Sequence, residues 1–115
     1  MKNKTTSTQP LERQYQRLRS SLANIGYISQ GSVLDRSRLR SPRSGYQWTR
    51  KVARRTITVA LSQEQFHALG AAIQNRRKLQ KTITQMEKLS RRILFGTLPD
   101  TSRHKSLPKK VLGLI

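Results

Sequence analysis

The residues in this chain best suited to do chemistry are cations, and their chemistry is the binding of anions. Between Arg36 and Arg55 stand eight Lys or Arg and no Asp or Glu. Arg36, Arg38 and Arg40 alternate, so an extended backbone would set them along one face, with Arg43 in the loop that follows. Arg50, Lys51, Arg54 and Arg55 gather around the expected tip of a hairpin. Arg76, Arg77, Lys78 and Lys81 form a third cluster in a helical pattern. Three such clusters can track phosphates along a duplex, and nucleic acid is the commonest polymer that meets their need for negative charge. Gln47 and Thr49 add neutral hydrogen-bonding groups to the same outward face. Trp48 and Tyr46 could stack on bases, but their alternation with Ile57 and Val59 assigns them to the core. Phosphate binding is therefore expected, and the sequence carries no sign of base-specific readout.

Other chemistries lack their residues. The five acids, Glu12, Asp35, Glu64, Glu87 and Asp100, are scattered, whereas metal-assisted nuclease or transposase chemistry needs carboxylates that converge. Glu64 reads as a first-turn helix residue that suits the macrodipole, and Glu87 with Arg91 as a surface i, i+4 pair. His67 and His104 are the only histidines and there is no Cys, so a zinc site and a disulfide framework are not expected. Neither His has a Ser or Cys arrangement beside it that suggests a nucleophile. Gly26 and Gly31 lack the Gly-Lys pair of a phosphate-binding loop. The chain is expected to be no enzyme and to use no cofactor or metal.

The whole 115-residue chain shares the charge. Its 24 Lys plus Arg against five acids leave a formal net charge of +19. Basic residues number five before residue 20, eight from 36 to 55, seven from 76 to 92 and four after 100. Self-repulsion on that scale disfavours compaction, and a polyanion would relieve it. With 34% apolar and 5% aromatic residues, a helical pair with a small sheet fits better than a full two-layer core. No apolar run approaches a membrane span, and Met1 to Thr8 has no hydrophobic stretch of a secretory signal. A cytoplasmic location, on the nucleoid if DNA is bound, is expected.

These side chains require elements to position them. Leu11, Tyr15, Leu18, Leu22 and Ile25 are spaced four, three, four, three, as on one seam of an amphipathic helix. Pro10 suits its first turn and Gly26 its end. Gly31-Ser32-Val33-Leu34 can start a short strand, and Ser41 to Gly45 reads as a loop. Tyr46–Val52 and Thr56–Leu61 read as a hairpin turning at Ala53-Arg54-Arg55. Tyr46, Trp48, Val52, Ile57, Val59 and Leu61 then face the core, while Gln47, Thr49, Lys51, Thr56 and Thr58 face outward. Ser62-Gln63-Glu64-Gln65 is a capping-box pattern. It opens a long helix, running to about Phe95 and stopped by Gly96 and Pro99. Leu79, Met86 and Ile93 lie on its seam, Leu69 and Ile83 on the neighbouring one. The expected fold is α+β: a short N-terminal helix, a small antiparallel hairpin or three-stranded sheet, and a long C-terminal helix pairing with the first. Residues 1–9 are expected to be flexible, 10–95 to form one domain, and 96–115 to be a basic, disordered tail whose apolar end, Val111 to Ile115, is a poorly packed terminus ahead of a segment that docks on a partner.

Gly31-Ser32-Val33, Gly45 to Val52 and Thr56 to Gln65 together resemble a group of small bacterial proteins of unknown function, often encoded in or beside insertion sequences and transposase genes. The likeness continues through Ile73-Gln74-Asn75-Arg76-Arg77 and Met86-Glu87-Lys88-Leu89-Ser90 and covers roughly residues 11 to 95. It implies a bacterial protein associated with a mobile element and supplies no catalytic residues. Many members carry Cys before the hairpin and Gly in its turn; this chain has neither. The partners expected are nucleic acid, DNA ahead of RNA, a protein such as a transposase, and a second copy through the leftover helical seam at Leu69, Leu79, Ile83, Met86 and Ile93. The rival readings are a helical interaction adaptor, an RNA-binding or ribosome-associated protein, and a translated fragment with no independent fold.

Overall fold

A computed structural model describes residues 2–99, with side chains from Thr8 onward. Its elements are helix α1 (Lys2–Ser21), strands β1 (Ser32–Asp35), β2 (Tyr46–Val52) and β3 (Arg55–Leu61), and helix α2 (Gln63–Thr97). Short 3-10 turns occupy Leu22–Asn24 and Arg36–Arg38. The α+β class and the element order are those expected from sequence. His104, Asp100 and the apolar end from Val111 lie outside the described residues.

The chain divides into two compact units, Ile25–Leu79 forming one of them. In that unit the three strands form an antiparallel meander, β1 beside β2 beside β3. Trp48 stands opposite Val33 on one side and Val59 on the other. Opposed residues share a face, so Val33, Tyr46, Trp48, Val59 and Leu61 point one way. Gln47, Thr49, Lys51, Thr56 and Thr58 point the other, as the alternation predicts. The first half of α2 covers the apolar face. Tyr46 stacks on Phe66 with ring centroids 4.4 Å apart, and a Cβ on Gly70 would stand 3.5 Å from the Val33 methyl. Ala72 and Ile73 are buried at 5% and 6% exposure.

The helix start follows from its cap. Gln65 N donates to Ser62 Oγ at 3.1 Å, and Ser62 N donates to Gln65 Oε1 at 2.9 Å. Two amides that the first turn leaves unbonded are thus satisfied reciprocally. The preceding segment is tied to the same helix. Ser29 N donates to the Ala72 carbonyl at 3.2 Å, and Asn75 Nδ2 donates to the Tyr27 carbonyl at 2.9 Å.

The other unit joins α1 to the second half of α2, from Gln80. The pairing is antiparallel. The Thr8 methyl lies 3.4 Å from where a Cβ on Gly96 would be. Tyr15 and Ser90 line one open groove, and Leu22 and Ile83 share the next. Leu89 is buried there at 6% exposure and Thr8 at 4%.

Four boundaries differ from the sequence reading. First, α1 begins at Lys2, so Pro10 lies inside it rather than in its first turn. Proline has no N–H, and the helix carries one backbone bond fewer there. Second, α1 ends at Ser21, before Gly26. Third, Gly96 lies within α2, which ends at Thr97, and the Thr8 side chain of α1 packs beside it. Fourth, the hairpin turn is Ala53-Arg54 alone, both at positive φ (48° and 67°), and Arg55 belongs to β3 opposite Val52. A two-residue loop with two positive φ values matches the right-handed twist of the strands it joins.

Candidate nucleic-acid interface

The β2–β3 hairpin outruns the rest of its sheet. β1 pairs with Tyr46 to Thr49 and goes no further. Arg50 to Val52 and Arg55 to Ile57 therefore continue as a two-stranded ribbon for about 10 Å. Every residue from Arg50 to Ala60 is exposed. Val52, Ile57 and Val59 are 38%, 43% and 43% exposed, so the three are not buried on the core side as the alternation suggested. They have the predicted face, but α2 covers only the end that holds Tyr46 and Val33.

The ribbon gathers Arg50, Lys51, Arg54 and Arg55 within one turn of chain and distributes them over both faces. Arg50, opposite Ile57, and Arg55, opposite Val52, share the apolar face. Lys51, opposite Thr56, lies on the hydroxyl-rich face with Thr49 and Thr58. Arg54 occupies the turn itself. No acid is present from Arg36 to Gln63, so nothing there neutralises the four cations.

The Arg36, Arg38, Arg40 alternation does not produce an extended basic strand. A 3-10 turn at Arg36–Arg38 interrupts it, capped by Asp35, whose Oδ1 accepts from Ser37 N at 3.0 Å and Ser37 Oγ at 2.7 Å. Those Ser37 bonds, with a smaller contribution from Arg38, hold the Asp35 carboxyl below its ordinary value of 3.8. The Arg36 carbonyl accepts from Leu39 N at 3.2 Å and Arg43 N at 3.1 Å, and Arg36 N donates to the Gly45 carbonyl at 2.9 Å. This closes a loop that bears Arg36, Arg38, Arg40 and Arg43. Arg36 Nε also donates to Gln47 Oε1 at 3.2 Å. That bond links the loop to β2 and orients the Gln47 amide, a link that spacing alone could not reveal.

On α2 the third cluster splits. Arg76 is half-buried on the side of Ala72 and Ile73, whereas Arg77, Lys78 and Lys81 are exposed. Spacings of three and four place Arg77 and Lys78 beside Lys81 on the helix surface. The seam residues Leu69, Leu79, Met86 and Ile93 are half-buried, and Ile83 is 42% exposed.

Trp48 and Tyr46 are structural. Trp48 Nε1 donates to the Gln30 carbonyl at 2.9 Å, and Tyr46 is engaged with Phe66. His67 meets Phe66 edge-on at 5.4 Å. Among the described residues no three of His, Asp and Glu lie close enough to share a metal ion. Among them, too, no helix is long and apolar enough to cross a membrane. Comparison with family models, curated proteins and solved structures gives no match.

Proposed function

We propose that this chain is a non-enzymatic nucleic-acid-binding protein that grips duplex DNA, ahead of RNA, through the phosphates. The observation that carries this reading is the exposed ribbon: Arg50, Lys51, Arg54 and Arg55 on a two-stranded arm that no other described element covers. The loop with Arg36, Arg38, Arg40 and Arg43 supplies a second patch in the same unit, and Arg77 and Lys78 add exposed charge on α2 there. A two-stranded ribbon is narrow enough for the major groove of B-DNA. An accessory role beside a mobile element follows from the family resemblance and forms part of the proposal.

Binding to a duplex measured against salt tests it. Contact with about six phosphates gives a slope of log K against log salt of about −5. Affinity that ignored salt would remove the electrostatic mechanism. Duplex DNA, structured RNA and single strands compared at one salt concentration separate the DNA reading from the RNA one.

A second reading has its own support. Ile83, Leu94 and Phe95 on α2 are 42%, 52% and 53% exposed. Beside Leu94 runs an open groove of about 850 Å³, lined by Glu12, Tyr15, Gln16, Ser90 and Ile93 among others. A helical adaptor for a transposase or another protein would use that surface. Polar substitutions at Leu94 and Phe95 should abolish such a complex and spare phosphate binding. A pull-down from the native cell with and without nuclease tells the two readings apart.

A further inference from the structure

Among the described residues β3 is an edge strand that nothing covers, and its one charge is Arg55 at its start. Edge strands are normally kept from pairing by brevity, Pro, Lys, bulges or a covering element. The opposite edge, β1, is four residues long and runs into the capped turn at Arg36. β3 has seven residues, Arg-Thr-Ile-Thr-Val-Ala-Leu, and only Leu61 is not exposed. Among the described residues, no backbone group of Thr56, Thr58 or Ala60 bonds outside the β2–β3 ladder.

The register identifies which groups are free. In a hairpin closed by a two-residue loop, the flanking pair exchanges both hydrogen bonds. Here that pair is Val52 and Arg55, so Arg55, Ile57, Val59 and Leu61 direct their amides and carbonyls at β2. Thr56, Thr58 and Ala60 direct theirs outward.

We infer that β3 pairs with β3 of a second copy of this chain, antiparallel, about a two-fold axis at Thr58. In that register the two Thr58 residues exchange both backbone bonds, and Thr56 of each copy does so with Ala60 of the other. All of the outward groups are satisfied. Ile57 then opposes Val59 of the second copy across a non-hydrogen-bonded pair, where side chains lie closest, and both are 43% exposed in the single chain. Charge permits the pairing although each chain carries +19. The strand has no charge from Thr56 to Leu61, and the two Arg55 residues lie about 20 Å apart. That is beyond the screening length of about 8 Å at physiological salt. Slippage by one residue would put free amides opposite bonded ones, and slippage by two would leave either Thr56 or Ala60 of each copy without a strand partner, which selects this register. The two basic hairpin tips point away from each other at the ends of a continuous six-stranded sheet.

The test uses the full chain, freed of nucleic acid by nuclease and high salt. Sedimentation should show a monomer–dimer equilibrium that shifts toward dimer as salt screens the net charge. Thr58→Pro removes one outward amide without touching the bonds to β2, so it should weaken the dimer at least about tenfold while leaving the circular dichroism unchanged. Since the chain has no Cys, Thr58→Cys offers a second readout. The two Thr58 Cα atoms of the pair lie about 5.5 Å apart, within the range of about 4.4–6.8 Å that a disulfide spans. Thr58→Cys should therefore cross-link to itself under mild oxidation. Thr56→Cys and Ala60→Cys, each about 14 Å from its own copy, should not cross-link alone but should do so when mixed. A chain that is monomeric at every concentration and salt overturns the proposal. So does a dimer that survives Thr58→Pro, equal cross-linking at 56, 58 and 60, or assembly beyond the dimer.

Discussion

The indole N–H of Trp48 is bonded to the carbonyl of Gln30 at 2.9 Å, and Gly31 lies between them at a φ of +103°. The bond holds the segment before β1 against the middle strand. It exists only because the intervening residue has no side chain: a Cβ on Gly31 would meet the Trp48 ring and come within 2.7 Å of the Thr49 carbonyl. Gly31→Ala is therefore expected to destabilise the fold by more than about 2 kcal/mol, from overpacking and left-handed strain together. Trp48→Phe, which keeps one aromatic ring but loses the bond and part of the indole's bulk, should cost at least about 1 kcal/mol. Denaturant melts of both variants check the order.

The hairpin turn stores strain that can be released. Ala53 and Arg54 occupy left-handed conformations that cost roughly 1–2 kcal/mol per residue with a side chain. Replacing the pair with Asn-Gly, the preferred type I′ sequence, should raise the melting temperature and lower affinity for duplex DNA, because Arg54 is lost. A variant that loses both stability and affinity would contradict the turn geometry.

The four cations of the ribbon can be removed without disturbing the core, since all are exposed. Reversal of charge at Lys51, Arg54 and Arg55 together should reduce duplex binding far more than helix content, and should flatten the salt slope by about 3. Reversal at Arg77 and Lys78 on α2 should have a smaller effect. Titrations over a range of salt, with circular dichroism as control, measure both.

Gly70 should be replaceable. It is in the middle of a helix turn, where Gly costs up to ~1 kcal/mol against Ala. An added Cβ there would make an ordinary contact of 3.5 Å with Val33. Gly70→Ala is expected to stabilise by a few tenths to ~1 kcal/mol in urea melts.

Asp35 links the loop of arginines to pH. Its carboxyl titrates at about 3.8 when unfolded and lower when folded, mainly through the Ser37 side chain and next its backbone N–H. The carboxylate's contribution is present in full above the unfolded value and disappears as pH falls through the folded one. Asp35→Asn should remove that segment of the acid transition, read by comparing acid unfolding of the two chains, while the carboxyl shift of Asp35 in the unsubstituted chain reports its lowered folded value.

Local signals determined much of the fold from sequence alone. Ser62 and Gln65 marked the start of α2 because capping is satisfied within four residues. Alternation from Tyr46 to Leu61 assigned both faces of the hairpin because side-chain direction in a strand has a period of two. The density of Lys and Arg without acid pointed to an anionic partner for the same reason: it needs no knowledge of the fold. What the tertiary structure decided depends on which segments meet. Gly96 continues the helix, with Thr8 of α1 packed beside it. Arg36 turns toward Gln47 where alternation would have extended it. Val52, Ile57 and Val59 remain exposed because, among the described residues, α2 covers only the end of the sheet that holds Tyr46 and Val33. The basic stretch becomes a projecting ribbon with an open edge through those lengths, and pattern within a strand carries no information about where its neighbours end.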